Sequence, residues 1–165
     1  MTQSDTQLLA EIESLYRDRF ADFVACAASI LGDRESAREA VQDAFASVVR
    51  SRSGFRGEAP LEAWVWRAVI NAARKKHRRY AREAQVSALT LAMNGSVPLD
   101  DGRLELATLV AALPERQRLV LFLRYYADLD YRRIAQILGV RTGTVSASLH
   151  AAHAALRRTL SEASR

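Results

Sequence analysis

The stretch that most limits what this chain can fold into is Asp130 to Arg158, DYRRIAQILGVRTGTVSASLHAAHAALRR. Its spacing predicts a helix-turn-helix. A short first helix runs from Tyr131 to about Leu138 behind a capping Asp130, and Gly139 stands where the chain must turn sharply, a position that often needs positive φ. Thr142 is placed to cap a second helix from Gly143 onward. Ile134, Leu138, Val140, Val145 and Leu149 are spaced to pack the two helices together, and Ala135 is small where they cross. By itself the stretch leaves one alternative open, an ordinary helical hairpin in an all-helical core.

Composition supports helices throughout. A chain of 165 residues with 49% hydrophobic content can build one domain or two small ones. It holds only three prolines and seven glycines, beside abundant Ala, Leu and Arg. A formal charge of +5 points weakly to an anionic partner. Cys26 is the only cysteine, which excludes an internal disulfide and a cysteine-based zinc cluster, and its alanine-rich apolar run reads as buried. The N-terminus is polar and acidic, and no apolar run approaches a membrane span, so a soluble cytoplasmic protein without membrane insertion is expected.

In chain order, the first helix covers roughly Thr6 to Leu31, with Leu8, Ile12, Leu15, Tyr16, Phe20, Phe23, Val24, Ala27 and Leu31 at helical spacing. Gly32 stops it and Asp33 is placed to cap the next helix, about Arg34 to Ser51. That helix has Ala37, Ala40, Val41, Ala44, Phe45, Val48 and Val49 on its apolar face. Arg38, Glu39, Gln42, Asp43 and Ser47 lie on the other, a polar face that by default is simply solvated. The loop Ser51 to Pro60, SRSGFRGEAP, sets Phe55 between arginines. Pro60 sits at the first turn of a third helix, Leu61 to about Arg82, whose inward residues read as Leu61, Trp64, Val65, Ala68, Val69 and Ala72.

From Arg50 to Arg82 there are ten basic residues against Glu58 and Glu62 alone, densest in RKKHRRYAR at Arg74 to Arg82. A basic helix beside an aromatic-bearing loop suits nucleic acid, cations for phosphates and rings for unstacked bases. A solvated basic helix end, favoured by the helix dipole, is the equal alternative from this segment alone. From Glu83 to Arg103 the periodicity dissolves into a linker holding Asn-Gly, a proline and paired aspartates, with one weak helical turn around Ala88 to Met93. A short helix follows, Leu104 to Leu113, with Leu106, Leu109, Val110 and Leu113 facing in. Pro114 opens another, Glu115 to about Ala127, carrying Leu119, Val120, Leu121, Leu123 and Tyr126. Two helical bundles thus flank a linker, each with its own nucleic-acid signal.

Three segments in this order carry a resemblance: AVQDAF at Ala40 to Phe45, FRGEAPLEAWVWRAVINAAR at Phe55 to Arg74, and LPERQRLVLFLRYYADLDYRRIAQILGVRTGTV at Leu113 to Val145. From about Leu15 on, apart from the linker, the chain resembles a sigma factor of bacterial RNA polymerase, of the small extracytoplasmic-function type (group IV of the sigma-70 family). The resemblance implies an all-α chain of two small helical domains. A three-helix region 2 bundle would occupy residues 6–82, a flexible linker 83–103, and a four-helix region 4 domain with the helix-turn-helix 104–162.

The resemblance also assigns roles. Core RNA polymerase would be bound through Arg38, Glu39, Gln42 and Asp43 on a coiled coil of the largest subunit's clamp, with the β flap as the contact of region 4. The loop at Phe55, Arg56 and Gly57 matches the element that captures a base flipped from the −10 non-template strand; extraction costs a few kcal/mol of stacking, which a ring-lined pocket offsets. Arg67 and Asn71 lie one turn apart on one helix face and match positions that contact the −10 element, Asn71 suiting a base edge. Arg74, Lys75, Arg78 and Arg79 suit phosphates. Trp64 corresponds to the family's buried tryptophan, while Trp66 has no clear assignment. In the recognition helix and its approach, Arg132, Arg133, Arg141, Thr142, Thr144, Ser146, Ala147, Ser148 and His150 would meet the −35 element. Here the chain departs from relatives, which usually carry several Lys or Arg across the positions of Ser146, Ser148 and Ala151. Phosphate contacts, DNA shape and thymine methyls would then carry more of the recognition. Arg38 is a second departure, standing where an acidic residue is common.

No cofactor is expected. His150 and His153 are spaced i, i+3 without a third ligand, so no metal site is read there. There is no glycine-rich phosphate loop, no HExxH and no nucleophile with its base, so no enzyme is expected. Promoter DNA, core polymerase and an anti-sigma factor are the partners the family implies. Two alternatives stay open: a stand-alone helix-turn-helix regulator, which leaves AVQDAF and the Phe55 loop without purpose, and a sigma-like module that titrates a regulator, which the depleted recognition helix favours.

Overall fold

A computed structural model of the chain describes residues 3–86 and 108–163, and every regular element among them is helical. The chain forms two compact units. The first contains α1 (Gln3–Leu31), α2 (Arg34–Ser51), a single 3-10 turn (Arg52–Gly54) and α3 (Leu61–Val86). The second contains a helical turn at 108–111, α4 (Glu115–Leu121) running on into a π-helical turn (Phe122–Tyr126), α5 (Tyr131–Leu138) and α6 (Thr142–Ala163).

In the first unit all three helices pack on one another. Gly32 ends α1 at φ +86°, its N–H donating to the Ala28 carbonyl at 2.8 Å. Asp33 caps α2, its carboxylate accepting the Ser36 N–H at 2.8 Å, which satisfies one of the helix's orphan donors. The Pro60 carbonyl takes the first bond of α3, from the Trp64 N–H at 3.1 Å, so the proline stands at the cap position rather than inside the first turn.

The hydrophobic centre of this unit corrects the expected phase of α3. Trp66, which had no clear assignment, is fully buried, and Trp64, assigned to the core, is only half-buried. The buried stripe runs through Ala63, Val65, Trp66, Val69, Ile70 and Ala73. Between Leu61 and Ala73 apolar residues cover most of the helix circumference, so the period alone does not select a face. The partners do. Phe23 of α1 meets the Trp66 ring at 4.4 Å and Phe45 of α2 at 5.3 Å, and Tyr16 meets Phe45 edge-on at 4.9 Å. Tryptophans two residues apart point about 200° away from each other, and only one can join that cluster. Cys26 is buried as expected. Two helix ends also differ from expectation: α1 begins at Gln3 rather than Thr6, and α3 continues past Arg82 to Val86. The turn read at Ala88 to Met93, the rest of the linker and the start of the helix read from Leu104 lie outside the described residues.

In the second unit the helix after Pro114 is not uniform. Leu119, Val120 and Leu123 are buried, but the Ala127 N–H reaches back to the Phe122 carbonyl at 3.1 Å and the Leu129 N–H to that of Leu123 at 2.9 Å. The widened turn changes the helical phase. Tyr126, expected among the apolar residues of a plain helix, is therefore 57% exposed, and Tyr125 is 63% exposed. The chain leaves through Asp128 at φ +52°. Arg118 ties this helix to the one before it, donating to the carbonyls of Ala111 at 3.1 Å and Leu113 at 2.6 Å.

The helix-turn-helix forms as the spacing predicts. The Asp130 carboxylate accepts the Arg133 N–H at 2.8 Å, and Gly139 closes α5 at φ +66°. Ile134, Ala135, Ile137, Val145, Leu149 and Ala152 are buried in this unit, with Leu138 and Val140 half-buried. One detail is corrected. The Arg141 carbonyl accepts the Thr144 and Val145 N–H groups at 2.9 and 3.2 Å, so Arg141 occupies the cap position of α6 and Thr142 is its first helical residue.

Candidate nucleic-acid interfaces

Expected residues of the first unit line two neighbouring hollows, and most of those of the second are exposed. In the first unit, the loop after α2 and the start of α3 form a shallow concavity lined by Gly54, Phe55, Arg56, Gly57, Glu58, Ala59, Trp64 and Arg67. Phe55 is half-buried, its ring 5.2 Å from that of Trp64 at an interplanar angle of 40°. Gly57 turns the loop at φ +70°, a conformation open to glycine at little cost. The tryptophan assigned to the core therefore forms a wall of this concavity. Two rings at the mouth of a loop flanked by Arg56 and Arg67 can stack on a planar group, with cations for its charged neighbours.

Arg67 and Asn71 are exposed on one face of α3, one turn apart. The same helix face leads into a groove between α2 and α3 lined by Asp43, Ser47, Arg50, Asn71, Lys75, Arg79 and Arg82, among others. Lys75, Arg78 and Arg79 are exposed and Arg74 is half-buried. Arg79 stands over the Tyr80 ring at 5.5 Å and 3.6 Å from the Glu83 carboxylate. Arg50, from α2, belongs to this basic groove although the sequence offered no reason to separate it from a solvated helix end.

Lys76 behaves differently from its basic neighbours. It is the one buried charged residue among the described residues. Its ammonium donates to the Glu39 carboxylate of α2 and stands 5.7 Å from the Tyr80 ring centroid, while the Tyr80 hydroxyl lies 3.3 Å from Ser36 Oγ. Burial works against the ammonium, but hydrogen bonds to Glu39 and Tyr80 and their attraction outweigh it and hold its pKa above the ordinary lysine value. A sequence signal for this existed, since Lys76 and Tyr80 continue the buried Val69–Ala73 stripe at helical spacing. On the polar face of α2, Arg38, Glu39, Gln42 and Asp43 are all exposed; Arg38 lies over Phe20 at 6.0 Å, and Glu39 keeps 57% of its side chain exposed despite the pairing.

In the second unit Arg132, Arg133, Arg141, Thr142, Ser146, Ala147 and His150 are exposed, whereas Thr144 and Ser148 are half-buried beside the packed face of α6. The open face of α6 is thus narrower than the sequence set suggested. His153 is bound to the Tyr125 hydroxyl at 3.1 Å, and no cluster of metal-ligating side chains occurs among the described residues.

Two family descriptions match the chain, Sigma-70 region 2 over residues 15–83 and Sigma-70 region 4 over residues 103–156. The chain belongs to the sigma-70 family, as an extracytoplasmic-function sigma factor. It is 28% identical to the ECF RNA polymerase sigma factor SigW of Bacillus subtilis strain 168, over 96% of this chain and 91% of that protein. It is 27% identical to the ECF RNA polymerase sigma factor SigM of Mycobacterium tuberculosis strain H37Rv, over 96% of this chain and 85% of that one. The fold of this sigma factor is similar to that of RpoE from Bartonella quintana, solved with the anti-sigma factor NepR. The TM-score is 0.74 at 19% identity, covering 90% of this chain and 98% of that one. It is also similar to CnrH, solved with the cytosolic domain of CnrY, at a TM-score of 0.71 and 20% identity, covering 96% and 95%. No helix among the described residues is long and apolar enough to cross a membrane.

Proposed function

We propose that this sigma factor directs core RNA polymerase to −10 and −35 promoter elements and helps open the duplex by trapping a flipped base against the rings of Phe55 and Trp64. The observation that carries the reading is the continuity along α3. The ring-lined concavity, the Arg67–Asn71 face and the basic groove follow one another on one helix, so a single-stranded base, a base edge and a phosphate backbone can be met in sequence. Glu39, Gln42 and Asp43 on α2 offer acceptors to a basic polymerase surface, with Glu39 oriented by Lys76. The exposed face of α6, led by Arg141, Ser146, Ala147 and His150, enters the major groove at the −35 element, with Arg132 and Arg133 on the backbone. Catalysis of RNA synthesis belongs to the polymerase; the sigma factor acts beside it in the cytoplasm. The similar RpoE structure is a complex with an anti-sigma factor, which supports control of this chain by a protein of that kind.

The test is multi-round transcription with core polymerase from the source organism on fragmented genomic DNA, with transcript starts mapped. Discrete new starts that share a −10 and a −35 motif are expected when the protein is added. Stable binding to core without new starts favours the titrating module, in line with the sparse charge of α6. No binding to core refutes the sigma role of this chain.

A further inference from the structure

Arg52 lies between the N-terminal end of α1 and the loop that carries Phe55. Its guanidinium donates to both carboxylate oxygens of Asp5, from Nε at 2.9 Å and from Nη2 at 3.2 Å, and its Nη1 donates to the Val49 carbonyl at 2.6 Å. The Arg52 carbonyl accepts the Phe55 N–H at 3.0 Å. The side chain is therefore anchored on α1 and on the end of α2, while the backbone of the same residue holds the first ring of the concavity. Neither partner is a loose surface group, for the Arg52 and Asp5 side chains are only 25% and 24% exposed. A planar guanidinium held at three donors has its position and orientation fixed together, which a single-point lysine contact does not achieve. Asp5 lies ahead of the residues matched by the region 2 description, which begin at 15, and nothing in the sequence singled it out.

We infer that the Asp5–Arg52 pair is a positioning device for base capture: it sets where the Phe55 loop stands against Trp64 and so governs how strongly the flipped base is held. The inference rests on the base-capturing role proposed for that loop. Ring stacking depends on offset and tilt, and Phe55 follows the anchored turn directly, so a displaced Arg52 displaces the ring that must meet the base. Asp5 touches neither DNA nor polymerase in this scheme. It acts through Arg52.

The experiment uses the full chain in holoenzyme on a promoter recovered by start mapping, with an abasic site placed at each −10 non-template position in turn. Opening is read by permanganate reactivity of unpaired thymines, and core binding is measured in parallel. In the unsubstituted protein, the abasic site at the captured position is expected to reduce opening about tenfold. Asp5→Asn, which keeps the shape of the side chain and loses its charge, is expected to shrink that ratio to about twofold without altering core binding. Asp5→Glu restores the larger ratio, and Arg52→Lys, a cation without the two-point fork, falls between. A merely structural pair would lower opening on intact and abasic templates alike and leave the ratio unchanged; that result for Asp5→Asn overturns the inference. If the unsubstituted protein is insensitive to an abasic site at every −10 position, the base-capturing role of the loop is itself wrong, and the positioning role falls with it.

Discussion

Two tryptophans with one residue between them serve different ends. Trp66 contributes its whole side chain to the aromatic cluster with Phe23 and Phe45, so Trp66→Ala is expected to destabilise the first unit by about 3–5 kcal/mol, read by urea denaturation. Trp64→Ala is expected to cost less than half as much stability and to impair promoter opening, because its ring is the wall opposite Phe55. Lys76 gives a second prediction at this scale. Its pKa is raised in the folded chain above the ordinary value of 10.5, so the stabilisation it supplies is fully present below that value and fades as pH rises through the raised one. Urea midpoints of the unsubstituted protein should therefore fall more steeply with alkaline pH than those of Lys76→Met. A parallel decline in the two proteins would show that the Lys76–Glu39 pair contributes nothing of this kind.

The helices owe their boundaries to a few polar caps and glycines. Asp130 supplies the acceptor for the exposed start of α5, and Asp130→Ala is expected to cost about 1 kcal/mol. Gly139 sits at φ +66° with open space where a Cβ would project, so Gly139→Ala suffers backbone strain alone, about 1–2 kcal/mol, without a steric clash. Thermal unfolding monitored on the second unit checks both, and a larger loss for Gly139→Ala would reveal repacking of the turn. The π turn after α4 belongs to the same scale. By shifting the phase it leaves Leu123 inside and presents Tyr125 and Tyr126 outside, with Tyr125 joined to His153 of α6.

At the scale of the whole molecule, two small units each carry one of the proposed DNA-reading surfaces, and α6 has few cations on its open face. Joined in one chain and held on one polymerase, the second contact forms at an effective concentration set by the connection between units. Supplying the two units as separate polypeptides is therefore expected to reduce promoter occupancy about 10²- to 10⁴-fold at equal concentration, measured by footprinting with core polymerase. Undiminished occupancy would show that the covalent connection between the units contributes nothing.

The sequence alone determined the helical class, the helix-turn-helix with its Asp130 cap and Gly139 turn, the Asp33 cap and the order of segments that marks the family. These are local properties: a cap or a positive φ is decided within a few residues, and periodicity within a turn or two. Tertiary structure alone decided which tryptophan enters the core, because α3 is apolar around most of its circumference and Phe23 and Phe45 select the face. It also decided that the inward Lys76 finds Glu39 as its partner, and that Asp5 meets Arg52 across the bundle. Such pairs join residues far apart in the chain, and a side chain's composition does not reveal a partner that only packing brings within reach.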